Sequence, residues 1–360
     1  MARRSPLFQV LKAARHRFNT EDLVSLFAQV SKDRVDALAR SLSSYISQNL
    51  PRAFENRRGL SDYRTNPYVL MTSASVMDLD DPSDFAKFLF NSKLYMALET
   101  SFGKSVEASF LGQYPLLSRD KWIDPPEKLA ELEALNGLSR EEKARRRTRS
   151  VWREIDKSCV IGSRRFLVSI KSGPNTINDT QVQAMTQAIA DYYERWFEET
   201  IRHHPSVKSL DVVIGLTYGT DRTTNNKENQ ILVKLLEHGF VEEDRTTRPG
   251  VIIDRRTRKI RVYRRIGKDF WAFIGNPEDP TAAAFVFLEI LLGLAKALST
   301  GMQSVDLETR INRKIRELSR ALARLQFPRN SLPDWIREDF TEDELFWFAT
   351  AMTAFYDEGI

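Results

Sequence analysis

The stretch that decides the reading is Glu154-Ile155-Asp156 followed by Phe166-Leu167-Val168-Ser169-Ile170-Lys171-Ser172-Gly173-Pro174-Asn175. Gly162-Ser163-Arg164 lies between the two pieces and supplies a turn, so Ile155 to Lys171 suits two strands of a hairpin. Side chains alternate faces along a strand. Phe166, Val168 and Ile170 therefore share one face, and Ser169 and Lys171 share the other. Asp156 opens the first strand, across the hairpin from Lys171, so a carboxylate and an ammonium meet at one end of a small sheet. Phosphodiester hydrolysis uses such a pair. A carboxylate holds a divalent metal that polarises the phosphate and lowers the pKa of the attacking water. A lysine steadies the nucleophile and the charge that develops on the phosphate. Mg2+ suits the first role, because it takes oxygen ligands and keeps several waters. The competing reading is a surface hairpin with an exposed ion pair, which is common and weak.

Working outward, the flanks read as helix, then mixed α/β, then helix. Val35, Leu38, Leu42, Tyr45 and Ile46 recur at three and four, with Ser31 as N-cap and Pro51 as the expected end of that helix. A helix is expected to restart near Ser83 and to run over 85–111, with a break near Asn91. Ser139 with Glu142 is a capping box that opens a helix carrying Arg145, Arg146, Arg147 and Arg149. Another helix is expected from Asp179 to about Thr200, a buried strand over Leu210 to Leu216, and a hairpin of Val251 to Ile253 with Ile260 to Tyr263. Amphipathic helices close the chain at 305–325 and 342–356. Ala282 to Leu298 is nearly all apolar, yet it is short for a bilayer span and carries Glu289 and Lys296; it reads as a buried core helix, and no membrane is expected.

Composition narrows the classes. The 360 residues carry 54 Lys and Arg against 49 Asp and Glu, a net +5 that admits a nucleic-acid partner without demanding one. Cys159 stands alone, so neither an intramolecular disulfide nor an all-cysteine zinc site can form. His203 and His204 are adjacent and lack metal-site spacing to another ligand, so no structural zinc is expected. Met1 is followed by Ala-Arg-Arg-Ser and a mixed segment without an apolar core, so no secretory signal is read and the cytoplasm is expected.

Asp156 followed by Ser169-Ile170-Lys171 resembles the PD-(D/E)XK nuclease signature, with serine where an acidic residue usually stands. The continuation Lys171-Ser172-Gly173-Pro174-Asn175-Thr176-Ile177-Asn178 resembles a branch of type II restriction endonucleases that cut interrupted GG/CC palindromes. Thr65-Asn66-Pro67-Tyr68 upstream is similar to that branch, as is Tyr263-Arg264-Arg265 leading to Phe270-Trp271-Ala272-Phe273-Ile274. The resemblance spans about 60–275. It implies an α/β fold: a restriction-endonuclease-like core, a mixed central sheet flanked by helices, with extra N- and C-terminal helical regions. The corresponding division is 1–92 helical, 93–275 catalytic and DNA-binding core, and 276–360 helical with candidate dimer contacts.

The resemblance also implies Mg2+-dependent cleavage of double-stranded DNA, with Asp156, Ser169 and Lys171 as catalytic residues. A helix before the hairpin often supplies one more glutamate in this superfamily. Phe102-Gly103-Lys104-Ser105-Val106-Glu107 resembles it, which makes Glu107 a catalytic and metal-binding candidate beside Asp156. Since Ser169 binds magnesium less well than a carboxylate, three readings stand: the missing acid moved to Asp179 or Glu194, Asp156 and Glu107 suffice, or catalysis is weakened. Ser172, Asn175, Asn178, Arg222, Asn225, Asn226, Lys227, Arg255 and Arg256 are the DNA-binding candidates. The triple arginine 145–147 reads as a phosphate clamp or a solvated face. A palindromic target implies a homodimer, and the class implies a partner DNA methyltransferase. A non-cutting DNA-binding protein of the same fold and a structure-specific repair nuclease are the alternatives.

Overall fold

The computed structural model describes residues 20–55, 63, 66–105, 111–173, 177–220, 223, 225–244, 246, 250–301, 307–325 and 332–356. In chain order the elements are helices α1 (Thr20–Phe27), α2 (Lys32–Glu55), α3 (Pro67–Val76), α4 (Pro82–Ser105), α5 (Pro126–Glu133) and α6 (Arg140–Thr148). Then follow β1 (Lys157–Ile161), β2 (Arg164–Lys171), α7 (Asp179–His203), β3 (Ser209–Leu216), α8 (Lys227–Glu237), β4 (Val241–Glu243), β5 (Val251–Asp254) and β6 (Ile260–Ile266). The chain ends with α9 (Lys268–Gly275), α10 (Val286–Gly301), α11 (Leu307–Ala323), α12 (Asp334–Asp339) and α13 (Glu342–Tyr356). Two compact units result: Met1–Leu42 with Gly103–Lys296, and Ser43–Phe102 with Ala297–Ile360.

The first unit holds a six-stranded sheet in the order β1-β2-β3-β6-β5-β4. β1 and β2 form the expected antiparallel hairpin, with Lys157 opposite Val168. β2, β3 and β6 run parallel, and β5 and β4 complete the sheet antiparallel. Parallel strands need a crossover to reverse direction twice, and α7 serves that purpose between β2 and β3. Its start is specified locally by a capping box, in which Asn178 Oδ1 accepts from Gln181 N–H while the Gln181 side chain accepts from Asn178 N–H. A mixed sheet flanked by helices is the α/β architecture expected from the sequence.

Both faces of the sheet are covered. Leu167, Leu210, Val212, Ile214, Val262 and Ile266 pack with Val182, Met185, Ile189 and Trp196 of α7 and with Ile231 and Leu235 of α8. On the other face Phe166 meets Trp122 and Phe273 edge-on, at centroid distances of 6.5 and 5.7 Å. β2 is thus buried from Arg165 to Ile170, which removes the exposed-hairpin reading. β3 carries Gly215 where a Cβ atom would lie 2.3 Å from the Phe270 ring of α9. Gly215→Ala is expected to destabilise the protein by about 1–3 kcal/mol through overpacking, read as a lower urea midpoint; an unchanged midpoint would contradict this packing.

Glu289 of α10 is fully buried and saturated: its carboxylate accepts from Arg34 Nη2 at 2.7 Å, Tyr114 Oη at 2.7 Å and Ser31 N–H at 2.8 Å. Pro280–Leu298 is long and apolar enough by composition to cross a membrane. The satisfied, buried carboxylate in its middle instead makes it a core element of this unit.

The second unit joins Ser43–Phe102 to Ala297–Ile360. Leu70, Leu79, Phe85, Leu89 and Phe90 share one core with Leu318 and Leu322, and Phe346 and Trp347 pack against it. Trp347 Nε1 donates to Leu79 O at 2.8 Å. Two local expectations are corrected: α2 continues through Pro51 to Glu55, and α4 runs unbroken through Asn91. A proline removes one helical hydrogen bond without abolishing the rest of the ladder. Helix α8 and strand β4 were not read from the sequence.

Candidate active site

The polarity of the sheet assembles the site. β2, β3 and β6 end at the same edge, and β1, being antiparallel to β2, begins there. Helices α7, α8 and α9 all start from that edge. Carboxyl ends of parallel strands are where α/β proteins place their ligands.

Asp156 is held against β2 by two bonds. Its N–H donates to Val168 O at 2.8 Å, and its Oδ2 accepts from Ile170 N–H at 2.6 Å. These bonds straddle Ser169 and bring the half-buried carboxylate to the side of the motif that ends in Lys171. Burial pushes the Asp156 carboxyl above the usual carboxylate range, against the opposing pull of Lys171, the Ile170 N–H and Lys128, while Glu154 adds to the rise. Lys171 is the last residue of β2 and lies opposite Leu216 of β3. Ser169 is fully buried, and its hydroxyl has no hydrogen-bond partner among the described residues.

The donors gathered here are all oxygen: one carboxylate with an oxygen to spare and an unpartnered hydroxyl. That set suits a hard cation such as Mg2+ with waters completing its shell. Among the described residues no three or more His, Cys, Asp or Glu side chains are grouped so that they could hold a metal ion. Glu107, the second metal candidate, lies outside them.

The two later acids fare differently. Asp179 starts α7 at the active edge, where it is exposed and paired with Lys227, which holds its carboxyl below the usual range. Glu194 lies about 22 Å further along the helix axis at 1.5 Å per residue. It pairs with Arg256 at 3.2 Å, away from Asp156.

The DNA-binding candidates divide into two groups. Ser172, Asn178, Asn225, Asn226 and Lys227 stand at the active edge. Ser172 O accepts from Thr217 Oγ1 at 2.7 Å. Asn225 Nδ2 donates to Ile177 O at 3.0 Å, tying the loop after β3 to the loop after β2. Asn226 turns the chain into α8 with φ of 60°. Asn178 and Lys227 are used as helix cap and ion-pair partner. Asn175 and Arg222 fall outside the described residues. Arg255 and Arg256 belong to the turn before β6, at the opposite edge. The seven residues of Ile260–Ile266 separate that turn from the active edge by roughly 20 Å. There Arg256 meets Glu194, Arg258 meets Glu242, and Asp254 staples the turn by accepting from Thr257 and Ile260 N–H at 2.6 and 2.8 Å.

Sequence reasoning missed several residues near the site. Lys128 of α5 donates Nζ to Ile155 O at 2.6 Å, next to Asp156. Glu228 of α8 is buried and faces Arg264 at 3.5 Å, and Arg264 shares a row with Ile214 and Ser169 across the sheet. The apolar spacing of Ile231, Leu232 and Leu235 was the available signal for α8. Nothing local marks Lys128.

A mixed sheet flanked by helices, with an acid immediately before β1 and Ser-Ile-Lys closing β2, fits a restriction-endonuclease-like α/β fold. Residues 139–290 match the model of the family described as Type II restriction endonuclease EcoO109I. Over these residues the chain is similar to that family, and its enzyme class follows: a type II restriction endonuclease, a site-specific deoxyribonuclease. The match covers the hairpin, the whole sheet and α9, and leaves out the upstream pieces at 65–68 and 102–107. No curated protein matches the chain.

Proposed function

We propose that the chain hydrolyses double-stranded DNA with Mg2+ at a short, interrupted, GC-rich palindrome. The observation that carries the reading is the Asp156 carboxylate fixed beside Ser169 by the Ile170 N–H, on the strand that ends in Lys171. The matched family is described as Type II restriction endonuclease EcoO109I, and the stretch from Lys171 to Asn178 resembles the branch of such enzymes that cut interrupted GG/CC palindromes. A palindrome favours a two-fold protein, so the acting species is a homodimer. A cytoplasmic location beside a cognate DNA methyltransferase completes the reading.

The chain's own groups divide the work. Asp156 would hold the cation through the oxygen that Ile170 leaves available, with Glu107 as the second carboxylate. Bound there, the cation would lower the pKa of water and polarise the phosphate. Lys171 places a positive charge where the phosphate oxygens gain negative charge in the transition state. Plasmid DNA incubated with protein and Mg2+ should yield discrete bands, and EDTA should abolish them. A smear would indicate a structure-specific nuclease, and binding without cutting an inactive relative.

Glu107→Gln should raise the Mg2+ requirement and lower the rate with little loss of DNA binding, whereas Glu99→Gln should change little. Two carboxylates hold magnesium better than one, and the superfamily resemblance assigns that place to Glu107 rather than to Glu99. A Mg2+ titration of cleavage for both variants, alongside Asp179→Asn and Glu194→Gln, decides which acid serves.

A further inference from the structure

α5, α6 and the turn at 149–153, which packs on the Trp196–Glu199 turn of α7, line a cavity of about 420 Å3. Lys128, Arg146, Arg147, Arg149 and Arg153 line it, against the single carboxylate of Glu131. Glu131 already accepts a hydrogen bond from Ser150 Oγ. Arg146 reaches Glu142 at 3.4 Å, on the exposed surface of α6. Neither the Arg147 nor the Arg149 side chain has a hydrogen-bond or ion-pair partner among the described residues. Leu132 and Leu135 supply an apolar wall.

Such a density of like charge around a concavity favours an anionic occupant. Arginine forks match phosphate oxygens in pairs. Arg146 and Arg147 sit in the last turn of α6, where the helix dipole tolerates cations without acidic partners. The volume accepts a phosphate with its sugar but not a duplex. Lys128 joins this cavity to the active edge through Ile155 O at 2.6 Å, one residue from Asp156.

We propose that this cavity clamps a backbone phosphate of the bound DNA, with Arg147 and Arg149 gripping it and Lys128 linking the cavity to the backbone next to Asp156. The proposal rests on the DNA-cutting function above and adds a place that the strand occupies. The clamp contributes affinity and register rather than base recognition.

The test is a salt titration of binding to a fluorescent mixed-sequence duplex, with Ca2+ replacing Mg2+. The slope of log affinity against log salt is about −0.9 per phosphate contact. Arg147→Gln/Arg149→Gln should make that slope shallower by about 1 to 2. Arg316→Gln/Arg320→Gln on α11 removes the same charge from an exposed helix and should leave the slope unchanged. Equal slopes for wild type and the 147/149 variant, or an equal change in the 316/320 control, would overturn the clamp. Calorimetry with inorganic phosphate at matched ionic strength covers the other source of the anion. Heat lost in the 147/149 variant together with an unchanged DNA slope would reveal a free-anion site and overturn the strand assignment. A wild-type protein that neither binds duplex nor cuts plasmid would overturn the nuclease reading and the clamp together. Binding with an unchanged slope in the 147/149 variant would overturn the clamp alone.

Discussion

Asp156→Ala is expected to slow plasmid cleavage by about a thousandfold or more, because metal-based charge stabilisation is worth several kcal/mol and each 1.36 kcal/mol is tenfold in rate. Asp156 is the one carboxylate that the hairpin brings to Ser169 and Lys171, and its Oδ2 is positioned by the Ile170 N–H at 2.6 Å. Lys171→Ala should lose activity for a separate reason, the missing positive charge on the phosphate. Both variants should still bind duplex in Ca2+, since the proposed phosphate and base contacts are made by other residues. Stability works as an internal control. Burial raises the Asp156 carboxyl, so its ionised form opposes folding, and stability is lost as pH rises through the folded pKa. Asp156→Asn removes that cost and should be at least as stable as wild type at neutral pH while failing to cut. Near wild-type cleavage by any of these variants would end the hairpin assignment.

Glu127→Ala should cost about 3–5 kcal/mol of stability, the penalty for leaving one partner of a buried ion pair uncompensated. Arg165 is only 1% exposed and lies in the interior of β2. Its two terminal nitrogens meet the two Glu127 oxygens at 2.7 and 2.8 Å, and Nη1 also donates to Thr200 Oγ1 at 3.0 Å. The guanidinium lies 5.4 Å from the Trp152 ring centroid. Removing the carboxylate strands a cation with one hydroxyl and a ring face. Burial raises the Glu127 carboxyl, but Arg165 more than offsets this and holds it below the usual range. The pair's contribution is therefore present above the unfolded glutamate pKa and fades as pH falls through the folded one. Urea titrations of Glu127→Ala and of Glu127→Leu/Arg165→Met make the measurement. The double variant should be less destabilised than the single, because it buries no unpaired charge. Equal losses would mean that the pair acts through packing alone.

Periodicity made the β1–β2 hairpin legible. Alternation from Phe166 to Lys171, a glycine turn and an acid at the start of the first strand are local features, and local sterics are enough to place Asp156 and Lys171 at one edge. The start of α7 was equally legible, since Asn178 and Gln181 cap it within four residues. Helix α8 was missed because its polar opening, Asn225 to Glu228, reads as a loop until Ile231 begins the apolar stripe. The DNA-binding candidates at Asn178, Asn225 and Lys227 were found by residue type, which could not foresee that the fold itself uses them as cap, loop tie and ion-pair partner.

Local alternation, turns and caps, all written within a few residues, specified the α/β class and the Asp156–Lys171 edge; the nuclease resemblance rests on the residue types at Asp156 and from Ser169 to Asn178. Strand order and direction came from pairings between distant residues. Because β6 returns parallel to β3 after α8, β4 and β5, the turn holding Arg255 and Arg256 lies at the edge opposite Lys171. No pattern within that turn records which way β6 will run. The same holds for Lys128, whose reach to Ile155 spans 27 residues, and for Leu318 and Leu322, which share a core with Leu70 and Phe85. An apolar stripe states that a face must be buried; only the packed chain decides against what.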